Sequence, residues 1–146
     1  MTSYLTNPSL QRPILIFTAI LGVAMAANGV FMLVNPSLWY TAVPGVERTG
    51  LFNQHFIRDI GLLYVAIGAA FIGGSTHAAQ RILLWASATA WLTAHALFHF
   101  WEVAAGVCGP DVLWVDFPAV TLPSLFGMGL TFWAWKTASR EAAPAK

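Results

Sequence analysis

His95, His99 and Glu102 stand four and three residues apart in the stretch TAHALFHFWEVAAG. On a helix, such spacings put side chains on one face. Two imidazoles and a carboxylate sharing a face form a donor set of the kind that holds zinc or non-haem iron. A second polar group lies in NQHFIRDIG, where Arg58 and Asp59 stand three and four residues after His55. The expectation is a metal site made by His95, His99 and Glu102, with His55 as a fourth ligand. Asp59 then accepts an imidazole N–H from outside the ligand set, with Arg58 beside it. A divalent transition metal is the cofactor such donors take, and nothing in the sequence names it.

Other chemistries fit less well. The glutamate of a zinc protease, as in HExxH, is missing. Four histidines in the whole chain, one of them the distant His77, are too few for a many-histidine di-iron centre. Haem ranks below a small metal ion, because two histidines four apart on one helix cannot take opposite faces of one iron. The plainer reading is that these groups hold helices together, with Arg58 pairing with Glu102 or Asp59 and the histidines bonding to neighbouring helices. It stands first, metal binding second, and a pocket for a proton, a quinone or another small ligand third. Ionisable groups inside a membrane mark all three.

The elements that carry these residues are membrane spans. The chain has 146 residues, 58% of them hydrophobic and 9% charged, whereas a soluble domain carries about 25% charged residues. Four apolar runs approach the roughly 20 residues that a helix needs to cross a bilayer. They cover residues 14–34, 56–74, 82–101 and 117–135. The first begins after Pro13 and ends at Asn35-Pro36. The second carries Arg58 and Asp59 in its first turn, and the third begins after Arg81. A signal peptide is the rival reading of RPILIFTAILGVAMAAN, but the apolar run continues through GVFMLV to a full span.

Orientation follows from lysine and arginine. Arg12, Arg81, Lys136, Arg140 and Lys146 fall on one side, Arg48 and Arg58 on the other. That imbalance places both termini in the cytoplasm and the His/Glu cluster near the outer surface. His95 lies seven residues below Glu102, or about 10 Å deeper at 1.5 Å per residue. Trp39, Trp101 and Trp114 then mark the outer boundary, Trp133 and Trp135 the inner one. Asp111 and Asp116, in the third loop, are placed to fold over the cluster.

Smaller features complete the pattern. Gly22 and Gly29 in the first span, and Gly61 and Gly68 in the second, repeat a Gly-x6-Gly spacing. They are expected to form packing seams where helices approach closely. The loop NPSLWYTAVPGVERTG is read first as an interfacial segment and second as a lid. Pro118 and Pro123 open the fourth span, and Pro123 is expected to kink it and free a carbonyl. The single cysteine, Cys108, excludes an internal disulfide and a CxxC redox pair. No nucleophile–base pair, phosphate loop, dinucleotide motif or basic patch is present, so no catalytic residue is assigned and no nucleic-acid partner is expected.

The NPSLWY exit from the first span, the VPGV loop and the opening HFIRDIGLLYVAIGAAFI of the second resemble the small four-helix bacterial membrane proteins of the DoxX-like kind. The resemblance covers the first half of the chain, and HALFHFWE stands outside it. It implies a bacterial membrane location and an association with quinone-linked or redox systems as a subunit or partner.

The sequence therefore predicts an all-α, integral membrane four-helix bundle with both termini cytoplasmic, forming one domain in the bacterial inner membrane. Its expected role is that of a non-enzymatic accessory or interaction protein, in contact with lipid and with a membrane protein partner or further copies of itself. A metal- or haem-binding protein using His95, His99 and Glu102 is the second expectation. A quinone-linked oxidoreductase subunit is the third.

Overall fold

The computed structural model describes residues 8–142, with side chains from residue 11 onward. Lys146, counted above for orientation, lies outside the described residues. All regular structure among them is helical. The long helices are α1 (Pro8–Val34), α3 (Gln54–Thr76), α4 (Arg81–Ala104) and α6 (Leu122–Glu141). Two short ones are α2 (Pro36–Ala42) and α5 (Val112–Asp116).

The helix boundaries follow from local chemistry. Asn35 caps α2, its side-chain oxygen accepting from the Leu38 N–H at 3.2 Å, and Pro36 takes the first helical position. Asn53 does the same for α3 through the Phe56 N–H. Both satisfy a backbone donor that a helix start leaves open. The α3–α4 connection is only a short 3-10 turn, Ala78–Gln80, so these two helices run antiparallel.

α1 packs along α3, α3 against α4, and α4 against α6. The glycine repeat makes the first of these contacts. A Cβ on Gly68 would meet the Gly22 carbonyl oxygen at 2.5 Å, and one on Gly29 would meet the Gly61 carbonyl oxygen at 2.5 Å. The two Gly-x6-Gly motifs thus face each other in antiparallel register, as packing seams. The α4–α6 seam is polar, with Thr89 against Thr131 and Thr93 against Ser124, each at 3.1 Å.

Among the described residues, three helical stretches are long and apolar enough to cross a membrane: Gln11–Val34, Gln54–Thr76 and Val112–Glu141. Large side chains such as Ile20, Leu62, Leu83 and Phe132 project outward from the bundle. α4 has the length, 24 residues, but is not among the three by composition. His95 and His99, with Ser87, Thr89 and Thr93, dilute its apolar character.

The last stretch, Val112–Glu141, is one run with a π-helical turn at Phe117–Thr121, where the Leu122 N–H reaches back five residues to the Phe117 carbonyl. Pro118 and Pro123 lie at this turn, and neither can donate a backbone hydrogen bond. The expected kink at Pro123 thus takes the form of a widened turn beginning one turn earlier, as helices accommodate lost ladder bonds.

The two ends of the bundle are filled differently. At the end bearing the α3–α4 turn, Trp85 and Phe71 are fully buried. The Trp85 indole N–H donates to the Phe71 carbonyl at 3.1 Å. Arg81 caps this end, its Nε donating to the Gly74 carbonyl at 2.8 Å while its guanidinium lies over Trp85 and Trp133. The opposite end is hollow.

Candidate functional site

The hollow end holds a partly open cavity of about 870 Å³, in the size range of small-molecule sites. Each wall comes from a recognisable stripe. α4 contributes His95, Phe98, His99 and Glu102, spaced by three, one and three. α3 contributes Phe56, Ile57, Ile60 and Tyr64, and α1 contributes Met25, Asn28 and Met32. The widened turn supplies Pro118, Ala119 and Val120.

The roof is the segment between α1 and α3. Trp39, Tyr40, Val43, Pro44 and Val46 border the cavity from α2 and the turn after it. Of the two readings of this loop, the geometry is that of a cover. Its position is held by three contacts. The Trp39 indole N–H donates to the Asn28 side-chain oxygen at 2.9 Å. The Tyr40 hydroxyl donates to the Gly50 carbonyl at 2.7 Å. Arg48 pairs with Asp111 at 2.8 Å, tying the roof to the loop after α4. The Arg48 guanidinium holds the Asp111 carboxyl below its ordinary value. Gly45 adopts φ +90°, a left-handed backbone that suits glycine, directly above Val115 and Asp116.

A line of rings links α3 to α4, and all but Trp91 border the cavity. Tyr64 meets Trp91 edge to face at 5.5 Å, Trp91 stacks on His95 at 4.8 Å, and His95 meets the edge of His99 at 4.7 Å. His99 Nδ1 lies 2.7 Å from Asp116 Oδ2, with both side chains 14% exposed. A carboxylate only accepts, so His99 Nδ1 carries the proton and donates.

Three further polar heads border the cavity without a hydrogen-bond or ionic partner among the described residues: the Tyr64 hydroxyl, the His95 nitrogens and the Glu102 carboxylate. Tyr64 is only 8% exposed as a residue. Its hydroxyl nonetheless is not sealed in protein, since no unpartnered buried side-chain oxygen or nitrogen occurs among the described residues. It therefore faces the cavity.

The expected site residues divide here. His95, His99 and Glu102 share the wall of one cavity. His55 and Asp59 do not border it. They pair with each other at 3.2 Å on an exposed face, with side chains 86% and 55% accessible. The reason is helical phase. Ile57, Ile60 and Tyr64 point into the bundle, and at about 100° per residue His55 falls on the far side of α3. Arg58 pairs with neither Glu102 nor Asp59. Its guanidinium donates to the Leu33 carbonyl at 3.2 Å and to the Gln54 side chain at 3.4 Å. Among the described residues no three His, Cys, Asp or Glu side chains are grouped so as to hold a metal ion. Of the two aspartates expected to fold over the cluster, Asp116 bonds His99, while Asp111 serves the roof.

Asn28 and Tyr64 border the cavity and were not singled out from the sequence, while Trp39 was read only as an outer-boundary residue. Asn28 had a legible signal, as a carboxamide in an uncharged span. Tyr64 had none, because one tyrosine in an apolar helix reads as core.

Fold and site together define an all-helical protein with helices able to cross a membrane, enclosing a roofed cavity with polar heads on an aromatic wall. No family model, curated protein or solved structure matches the chain.

Proposed function

We propose that this chain is a small integral membrane protein of accessory type whose outer-side cavity receives a small lipophilic molecule. In this reading α4 crosses the membrane with the other long helices, completing a four-helix bundle in a bacterial inner membrane with both termini in the cytoplasm. α4 matches the other spans in length, and its two histidines turn toward the cavity rather than lipid. Arg12, Arg81, Lys136 and Arg140 supply the basic side. The resemblance of the first half to DoxX-like proteins agrees with that location. The outward apolar side chains then meet lipid, a membrane partner or further copies of the chain.

The observation that carries the reading is the cavity of about 870 Å³ at the end opposite the Trp85 core. A roofed cleft of this size falls in the range of small-molecule sites, and polar heads on its wall are left without partners among the described residues.

Nitrobenzene, an apolar aromatic quencher, tests it by titration against tryptophan fluorescence in detergent, since Trp39 borders the cavity and Trp91 stacks on His95 of its wall. Saturable quenching, at about one site per chain, is expected to weaken in Ala119→Phe, which fills the cavity. Linear quenching identical in both proteins would reject the reading. Orientation has a separate readout. A membrane-impermeant maleimide should label Cys108, in the loop after α4, in intact cells. Labelling only after lysis would reverse the topology.

A further inference from the structure

From the charges and rings at its wall, we infer that the cavity selects a lipophilic cation, an amine or quaternary ammonium carried on an apolar body. The inference rests on the ligand-binding reading above and names the class of ligand.

The electrostatic argument comes first. The ionisable side chains bordering the cavity are Tyr40, Tyr64, His95, His99, Glu102 and Asp116, with no lysine or arginine among them. The two basic groups on nearby elements are engaged elsewhere. Arg48 is bound to Asp111, and Arg58 donates to the Leu33 carbonyl and to Gln54. Two carboxylates thus face one cavity, and Glu102 has no partner among the described residues. An anion entering would meet like charge with nothing to offset it. A cation would complete a charge pair that the protein leaves open, and low local dielectric strengthens such pairing.

The walls supply the second argument. Trp39, Tyr40, Phe56 and Phe98 border the same space. Aromatic faces attract cations through the ring quadrupole, and cages of this make-up hold quaternary ammonium groups. Independently, the Tyr64 hydroxyl faces the cavity from a side chain more than nine-tenths buried, without a partner. Its oxygen can accept a hydrogen bond from an ammonium N–H. Asp116 already accepts from His99, so Glu102 is the carboxylate left open to a ligand. A purely apolar ligand would leave Glu102 and Tyr64 unmatched.

An isosteric pair separates charge from shape. N,N,N-trimethylanilinium and tert-butylbenzene have the same outline and differ by one positive charge. Both are titrated against tryptophan fluorescence of the purified protein, with free concentrations fixed by equilibrium dialysis. The cation should bind at least about fivefold more tightly, within the range that cation–π and charge pairing supply. Glu102→Gln should remove most of that preference while leaving tert-butylbenzene binding unchanged. Equal affinity of the two compounds, or a preference untouched by Glu102→Gln, would overturn the inference while the cavity reading stands. Binding of neither compound, together with linear nitrobenzene quenching, would overturn both. Thermal unfolding of Glu102→Gln confirms that its fold is retained, and Glu102→Asp, which keeps the charge, should keep the preference.

Discussion

Adding a single methyl group at Gly68 should separate two helices, whereas the same change at Gly129 should strengthen the fold. Around Gly68 a new Cβ would lie 2.5 Å from the Gly22 carbonyl oxygen and 2.7 Å from the Ala26 nitrogen and Cβ. An ordinary contact begins near 3.4 Å, so α1 and α3 must part there by about 0.9 Å. Two of the obstructing atoms are backbone, so no rotamer change relieves the clash. Overpacking of this kind costs about 1–3 kcal/mol, and a rigid obstacle belongs at the upper end. A gap near 1 Å also forfeits a quarter to a half of the dispersion attraction along the seam. Against this, replacing glycine by alanine inside a helix gains about 1 kcal/mol. The net expectation for Gly68→Ala is a loss of about 2 kcal/mol, or roughly 30-fold in the folding equilibrium.

Gly129 has no atom within 4 Å of its added Cβ. Gly129→Ala should therefore show only the helix gain, about 0.5–1 kcal/mol of added stability. Reversible unfolding in mixed micelles of mild detergent and SDS, followed by far-ultraviolet circular dichroism, reads both. The reasoning fails if Gly68→Ala unfolds at the same or a higher SDS fraction than the parent protein. It also fails if the two variants shift in the same direction.

Two further outcomes follow from the site. Asp116→Ala leaves His99 Nδ1 without its acceptor in a place where both side chains are 14% exposed; a loss of about 1–3 kcal/mol is expected, with a smaller loss in Asp116→Asn, which keeps an acceptor oxygen. Equal SDS midpoints for the two variants would show that the hydrogen bond does not matter. The Arg48–Asp111 tether should weaken in acid. Its carboxyl is held below the usual value in the folded chain, so the stabilisation is complete above the usual carboxylate range and disappears as pH falls through the lowered value. Amide exchange at 43–50, corrected for intrinsic rate, should rise on acidification in the parent protein and be already high in Asp111→Asn. The same acid response in both would refute the tether.

Much of the fold was legible because each signal was local. The spans at 14–34, 56–74, 82–101 and 117–135 fall within the long helical stretches, with ends displaced where the caps lie. Asn35 and Asn53 cap the next helix through an oxygen three residues away, a contact encoded within one turn. The glycine seam was also readable, since Gly-x6-Gly fixes a face whatever the partner. At the site, the stripe of His95, His99 and Glu102 was visible from spacing alone. His55 and Asp59 have the same kind of spacing and face away from the cavity. Spacing shows that residues share a face, and not which face turns inward.

The sequence alone thus determined where helices form, that three of the stretches suit a bilayer, and which polar groups ride together on α4. Those properties depend on neighbours within a turn or two and on mean composition. Only the tertiary structure decided that α1, α3, α4 and the widened turn stop short of filling one end of the bundle. It also decided that Trp39 reaches Asn28, that Asp116 rather than Asp111 takes His99, and that Glu102 is left without a partner. Each of these depends on the rotation of one helix about its axis relative to another. That angle is set by the summed packing of whole faces, which no short stretch of sequence contains.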